Sequence, residues 1–115
     1  MKITTWNVNG IRAALKKDFK KSIAELNPDV LCLQEVKARE EQLDQNDLEI
    51  EGYQRIWNAA QRPGYSGVAT YIRKDLIIKN VQLGIGREDF DNEGRTISFE
   101  IDGFTLYNIY FPNGQ

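Results

Sequence analysis

The sequence predicts a mixed α/β fold in which a parallel crossover precedes a series of antiparallel strands. A β-rich segment, an amphipathic helical segment and a continuously apolar run follow one another between residues 2 and 33. Strand-like runs separated by turn residues fill the second half of the chain. The chain has 115 residues, of which 41% are hydrophobic and 28% are charged, so we expect one folded domain.

The first two elements begin the crossover. Lys2 to Val8 is rich in residues that favour strands, and it ends at the turn signal Asn9-Gly10. From Ile11 to Leu26 apolar residues recur at spacings of three and four, with lysines between them. This pattern predicts one amphipathic helix, which Asn27-Pro28 ends.

The apolar run from Val30 to Leu33 predicts a strand that is buried on both faces of a sheet. When a helix connects two strands of the same sheet, the two strands are usually parallel. We therefore expect Asn7 and Glu35, at the ends of these strands, to lie at the same edge of the sheet. Cys32 lies inside the run and is expected to be a small core residue.

The second half of the chain is predicted to be a meander. A short helix is expected around Gln42 to Leu48, and Asp102-Gly103 favours a tight hairpin. The strands are predicted at Tyr53 to Trp57, Gly67 to Ile72, Ile77 to Leu83, Thr96 to Ile101 and Phe104 to Phe111.

The charge pattern and the hydropathy limit the choice of partners. The net charge of −2 gives no overall attraction to nucleic acid. The lysine pairs at positions 16–17 and 20–21 form either the solvated side of a helix or a phosphate-binding patch. No apolar run is long enough to cross a membrane and no signal peptide is recognisable, so we expect no membrane partner and a cytoplasmic location.

Polar and aromatic side chains follow the ends of several predicted strands, where ligands commonly bind in open α/β sheets. Each has a purely structural alternative, because Asn9 belongs to a turn dipeptide, Glu35 can reach solvent and Tyr110 can pack on a sheet. Glu35 is equally suited to bind Mg²⁺ as a hard oxygen ligand. The candidates are Asn7, Asn9, Glu35, Tyr110 and Asn113.

Two glycine-containing loops also have two interpretations each. Gly64-Tyr65-Ser66-Gly67 is either a plain turn or a loop that presents an aromatic ring to a nucleotide. Arg95 follows Gly94 directly and forms either a surface ion pair or a contact with phosphate, whose geometry the guanidinium matches.

The composition excludes several classes of active site. The chain has no histidine and one cysteine, so it offers no Ser-His-Asp or Cys-His arrangement and no zinc site of those residues. It also lacks a Walker phosphate loop and a glycine-rich dinucleotide fingerprint after the first strand. Metal chemistry with oxygen ligands is the remaining catalytic option.

Five segments, in order along the chain, together resemble the exonuclease III/apurinic-apyrimidinic endonuclease family. The resemblance runs from the first residue to the last, and the segments around Glu35 and Tyr110 favour this family over its phosphatase and sphingomyelinase relatives. The segments are Trp6-Asn7-Val8-Asn9-Gly10-Ile11-Arg12-Ala13, Pro28-Asp29-Val30-Leu31-Cys32-Leu33-Gln34-Glu35-Val36-Lys37, Gly64-Tyr65-Ser66-Gly67-Val68, Glu93-Gly94-Arg95 and Tyr110-Phe111-Pro112-Asn113-Gly114.

The resemblance implies a four-layer α/β sandwich of the DNase I type, built from two similar halves. Residues 1–115 would form the amino-terminal half, with a mixed β-sheet and helices on one face. The family's carboxy-terminal half, absent here, carries the aspartate and asparagine that handle the attacking water and a terminal aspartate-histidine pair. We therefore expect negligible nuclease activity from the isolated chain, and self-association through its uncovered sheet surfaces.

The resemblance also implies roles for the candidate residues. Glu35 would be a ligand of Mg²⁺, or of Mn²⁺ in its place, and Asn7 would support the metal and the catalytic network. Asn9 would hold a metal-site position that is aspartate in some relatives, and Tyr110 would be the catalytic tyrosine aimed at the target phosphate. The residues expected to contact DNA or to support the site are Arg12, Lys37, Tyr65, Arg95 and Asn113.

The function that the resemblance implies for the complete protein is DNA repair. Members of the family hydrolyse the phosphodiester 5′ to an abasic site in double-stranded DNA, and many also trim 3′ ends as 3′-to-5′ exonucleases. One alternative is a non-catalytic half-domain that binds DNA or a complementary chain. Another is a phosphoesterase of the same superfamily with a different substrate.

Overall fold

The computed structural model describes residues 1–112 and contains two sheets. The first consists of strands β1 (Ile3–Asn7), β2 (Val30–Gln34), β3 (Tyr53–Asn58) and β4 (Val68–Arg73), in the order β1-β2-β4-β3. β1 and β2 are parallel, whereas β4 is antiparallel to both of its neighbours. The predicted crossover and the mixed character of this sheet are confirmed.

The last three strands form a separate sheet, which the sequence pattern did not distinguish from the first. β5 (Ile78–Leu83), β6 (Thr96–Ile101) and β7 (Phe104–Ile109) are antiparallel and adjacent in this order. Asp102 and Gly103 connect β6 to β7 with φ angles of 48° and 81°. Two consecutive positive φ angles are typical of the tight hairpin turn that the sequence predicts.

The first sheet lies between the helices and the second sheet, so the described residues form three layers. On β2, Leu31 and Leu33 belong to the core on the helical side, and Val30 and Cys32 belong to the core between the sheets. All four side chains are buried. Burial on both faces explains why the run is continuously apolar, and the helices cover one face of this sheet as predicted.

The single helix predicted between the first two strands is interrupted. α1 spans Ile11–Leu15 and α2 spans Phe19–Leu26, with a turn between them. The turn covers residues 16–18, which are polar and exposed. On either side of it Ile11 and Phe19 are buried, and the Phe19 ring stacks on Trp6 at a centroid distance of 5.4 Å.

The other helices are single turns. The helix predicted around Gln42 to Leu48 is divided into a 3₁₀ turn at Glu40–Gln42 and α3 at Gln45–Leu48. Asp44 caps α3, because its side chain accepts a hydrogen bond of 2.8 Å from a backbone N–H of the first turn. α4 (Glu88–Asp91) lies between two of the predicted strands, where no helix was predicted from the sequence. Across residues 1–112, no helix is long and apolar enough to span a membrane.

Candidate active site

Most of the candidate residues gather at one edge of the two sheets. β1 and β2 end there side by side, since Asn7 is in register with Gln34, the residue before Glu35. β7 ends one residue before Tyr110, which donates its backbone N–H to the carbonyl of Arg95 at 2.9 Å. The expectation that Asn7 and Glu35 share an edge of the sheet is confirmed.

Glu35 lies in a hydrogen-bonded network with Asn7, Asn9 and Lys37, which we call the Glu35 cluster. Asn7 Nδ2 donates to Glu35 Oε1 at 2.9 Å, and Asn7 Oδ1 accepts from the backbone N–H of Asn9 at 3.0 Å. The second bond fixes which end of the amide faces the carboxylate. Lys37 Nζ donates to Asn9 Oδ1 at 2.7 Å and lies 3.6 Å from Glu35 Oε2. The four side chains therefore constrain one another.

The backbone of the Glu35 cluster is left-handed at three residues. Asn9, Glu35 and Lys37 have φ angles of 47°, 55° and 56°, a region that asparagine tolerates but glutamate and lysine seldom adopt. Hydrogen bonds hold this conformation, because the Glu35 carbonyl accepts from the Gly10 N–H at 2.7 Å and the Lys37 N–H donates to the turn before β4 at 2.9 Å. Val36, which lies between Glu35 and Lys37 in the sequence, is fully buried. The two charged side chains thus project from a fixed backbone.

Tyr110 approaches the Glu35 cluster from the second sheet. Burial and the negative charge of Glu35 raise the pKa of the Tyr110 phenol above its ordinary value, while the positive charge of Arg95 opposes the shift. The phenol therefore stays protonated across the neutral range. A protonated hydroxyl in this place can donate a hydrogen bond to an anionic ligand beside Glu35.

A second polar group beside Tyr110 consists of Tyr65, Glu93 and Arg95. The Tyr65 hydroxyl and Arg95 Nη2 both donate to Glu93 Oε1, each at 3.1 Å. The ion pair that the sequence offered as one interpretation of Arg95 is therefore present. The guanidinium also lies 5.2 Å above the Phe90 ring, and its Nε is buried without a hydrogen-bond partner among the described residues. Arg95 thus retains a donor that this ion pair does not use.

One residue predicted to contact DNA stands apart from these groups, and another is not among the described residues. Arg12 is exposed on α1 and is not a member of the Glu35 cluster. Asn113 lies outside the described residues.

The oxygen atoms of the Glu35 cluster fit a magnesium ion that also binds water and substrate. Residues 1–112 contain no group of three or more His, Cys, Asp and Glu side chains that could hold a metal ion, so Glu35 is the one carboxylate that the cluster offers. Its side chain is 22% exposed and accepts a hydrogen bond from Asn7, which leaves further lone pairs free. Mg²⁺ is commonly bound through one or two carboxylates, with waters and substrate phosphates completing its shell. Asn9 Oδ1, by contrast, is already engaged by Lys37.

Two amides behind the Glu35 cluster were missing from the predicted site residues. Asn108 on β7 is only 2% exposed, and its Oδ1 accepts a hydrogen bond of 2.9 Å from Gln34 Nε2. Residues alternate between the two faces of a strand, so Asn108 shares a face with Leu106 and Tyr110. A polar residue at a core-facing position was the signal that the sequence offered. Glu93 was also missed, because its role depends on contacts with Tyr65.

Comparisons with known proteins show what the whole chain is similar to. A model of the Endonuclease/Exonuclease/phosphatase family matches residues 4–114. The exodeoxyribonuclease of Bacillus subtilis is 40% identical over 100% of this chain and 44% of its own length. The DNA repair nuclease APEX1 of Danio rerio is 41% identical over 100% of this chain and 37% of its own length. The chain therefore spans less than half the length of these relatives.

A solved structure supports the class of fold. The catalytic domain of Xenopus laevis APE2 superposes with a TM-score of 0.80 and 28% identity, over 100% of this chain and 46% of that one. The predicted α/β fold class is confirmed, and so is the predicted resemblance of this chain to exonucleases and AP endonucleases.

Proposed function

Because the chain belongs to the Endonuclease/Exonuclease/phosphatase family, we propose that it supplies the metal-binding and phosphate-facing side of a Mg²⁺-dependent DNA repair nuclease. In the complete protein the reaction is hydrolysis of the phosphodiester 5′ to an abasic site, together with 3′-to-5′ trimming of 3′ ends in double-stranded DNA. In this proposal residues 1–115 are the amino-terminal half of a longer domain, and the protein is cytoplasmic.

The Glu35 carboxylate is the observation that carries the proposal. It stands at the ends of two parallel strands, is oriented by the Asn7 amide at 2.9 Å, and keeps free lone pairs. A structural ion pair with Lys37 alone would require neither the Asn7 bond nor a left-handed backbone at Glu35. Backbone strain of this kind persists where the surrounding structure over-determines it, and it is concentrated at functional sites.

The residues around Glu35 divide the work of holding a phosphodiester. A bound Mg²⁺ would supply positive charge that offsets the negative charge on the phosphate under attack. Asn7 holds Glu35 in place, and the protonated Tyr110 phenol donates to a phosphate oxygen. Such fixed donors stabilise developing charge without reorganising during the reaction.

The flanking residues are proposed to hold the DNA backbone. Lys37 brings a positive charge next to Glu35, and Arg95 presents its guanidinium beside Tyr110. Tyr65 positions Glu93 and, through it, Arg95. Arg12 lies on the exposed side of α1, where a further phosphate can be reached. A role for Asn113 in DNA contact stays a prediction from the sequence.

The decisive experiment replaces Glu35 in the protein at the full length that its gene encodes. Incision of a duplex with one abasic site and trimming of a recessed 3′ end are measured with Mg²⁺ and with EDTA. Loss of an outer-shell partner of a metal ligand typically costs about 10- to 100-fold, so we expect Glu35→Gln, which removes the negative charge of the ligand itself, to cost more. Glu41→Gln, at an exposed glutamate away from the cluster, is the control and should leave both rates unchanged.

The same variants separate metal binding from catalysis in the 115-residue chain. Titration with Mn²⁺, followed by electron paramagnetic resonance, should show binding to the native chain and to Glu41→Gln but not to Glu35→Gln. Equal binding by all three would contradict the assignment of Glu35. Robust Mg²⁺-dependent incision by the 115-residue chain alone would contradict the expectation that it is inactive.

A further inference from the structure

The interface between the two sheets is mainly apolar but contains buried amides at the edge that holds the Glu35 cluster. Apolar contact is non-directional, so by itself it does not fix how far one sheet slides over the other. Hydrogen bonds impose both a distance and an angle. The apolar core of this interface consists of Val30, Cys32, Val68, Ile72, Ile97, Phe99, Ile101 and Leu106.

Asn108 crosses this interface from the second sheet to the first. Its Nδ2 donates to the Ala69 carbonyl at 3.0 Å and to Thr70 Oγ1 at 3.1 Å, with a longer contact of 3.3 Å to the Leu33 carbonyl. Its Oδ1 accepts from Gln34 Nε2 at 2.9 Å. One side chain on β7 is therefore bonded to both β2 and β4, at a point where only 2% of the residue is exposed.

The position of this link matters more than its strength. Asn108 stands two residues before Tyr110, and Gln34 stands immediately before Glu35. The link therefore joins the ends of the two strands that carry these side chains, one in each sheet. Gln34 Nε2 also donates to Thr5 Oγ1 at 2.9 Å, which extends the link to β1.

We propose that Asn108, together with Gln34, is a positioning residue that sets the distance between Tyr110 and Glu35. The proposal rests on the function proposed above for those two residues. Without the Asn108 amide, the sheets keep their apolar contact but lose the directional bonds nearest the site. The predicted result is a folded chain in which Tyr110 no longer holds one place relative to Glu35.

The first test compares two substitutions in the same interface. Asn108→Leu keeps a side chain of similar size but removes its hydrogen bonds, whereas Ile101→Ala opens the same core at the hairpin end, away from the site. The native chain and both variants carry 3-fluorotyrosine, and the signal of residue 110 is assigned by Tyr110→Phe. Mn²⁺ bound at Glu35 should broaden that signal strongly in the native chain and in Ile101→Ala, and clearly less in Asn108→Leu at equal Mn²⁺ occupancy.

The second test uses the full-length protein and its nuclease rate. A misplacement of about 1 Å at a reacting group can cost about 100-fold, so Asn108→Leu should lower kcat by about 10- to 100-fold with little change in KM. Ile101→Ala should change neither constant while it lowers stability. If both variants lose kcat in proportion to their loss of stability, Asn108 is merely structural and the proposal is overturned.

The two proposals fail in distinguishable ways. If Mn²⁺ does not broaden the Tyr110 signal in the native chain, the proposed metal site at Glu35 is contradicted. The positioning role is then tested without metal, by nuclear Overhauser contacts between the Tyr110 ring and Glu35. Loss of these contacts in Asn108→Leu but not in Ile101→Ala supports it, and their retention in both overturns it. If Asn108→Leu does not fold, Gln34→Met removes the other half of the link and is judged by the same contacts.

Discussion

Adding one methyl group at Gly94 is predicted to produce a clash with backbone atoms. An alanine there would place its Cβ 2.5 Å from the carbonyl carbon of Ala59 and 2.5 Å from the backbone nitrogen of Ala60. Because both are backbone atoms, no side-chain rotation can relieve the clash. Gly94 also has a φ of 59°, and a left-handed conformation costs an alanine about 1 to 2 kcal/mol.

Gly103→Ala provides a matched control for the strain without the clash. Gly103 has a φ of 81°, but nothing lies within 4 Å of the place its Cβ would take. Overpacking typically costs about 1 to 3 kcal/mol, and any alanine regains about 0.4 to 1 kcal/mol by restricting the unfolded chain. We therefore expect Gly94→Ala to lose about 2 to 4 kcal/mol of unfolding free energy, and Gly103→Ala about 1 kcal/mol.

Equilibrium unfolding in urea measures this difference. With a denaturant dependence of about 1 to 3 kcal/mol per molar, the midpoint of Gly94→Ala should lie about 1 M below that of Gly103→Ala, with the slope unchanged. Equal midpoints would refute the reasoning, because they would mean that the segment before Arg95 moves away from Ala59 at no cost.

Two further predictions concern Lys37 and Cys32. Lys37 has a left-handed backbone, so Lys37→Gly should be more stable than Lys37→Ala by about 0.5 to 1 kcal/mol in the same urea assay, because only alanine is strained there. A more stable Lys37→Ala would contradict this prediction. Burial raises the pKa of the Cys32 thiol from 9.0 to about 11, so the unfolded chain loses that proton first and folding stability falls as pH rises from 9 to 11. The stability advantage of the native chain over Cys32→Ala should therefore shrink by about 2 kcal/mol across this range, and a constant gap would exclude the buried thiol as the cause.

The local patterns of the sequence were sufficient to locate most strands and one edge of the site. The apolar run at Val30 to Leu33 predicted a strand buried on both faces, and the crossover rule then brought Asn7 next to Glu35. Both inferences depend on properties of a few neighbouring residues and on chain connectivity. Such properties can be read from one sequence.

The features that were missed depend on contacts between distant segments. The break between α1 and α2 falls at residues 16–18, inside an unbroken pattern of apolar spacing, so the spacing alone did not reveal it. The division into two sheets falls between β4, which pairs with β2 and β3, and β5, which pairs with β6, and the strand patterns do not specify these partners. Asn108 finds its partners 38 to 75 residues away, so no local pattern could have revealed them.

The choice of residues at the left-handed positions adds to the case for function. Glycine would adopt φ near 55° without strain, yet the chain has Glu35 and Lys37 there, each at a cost of about 1 to 2 kcal/mol. The buried Val36 between them anchors the segment and offsets part of that cost. A chain that needed only a turn here would gain stability from glycine at either position. Two charged side chains on a strained backbone are consistent with the proposed metal and phosphate contacts, which would need those side chains and not merely a turn.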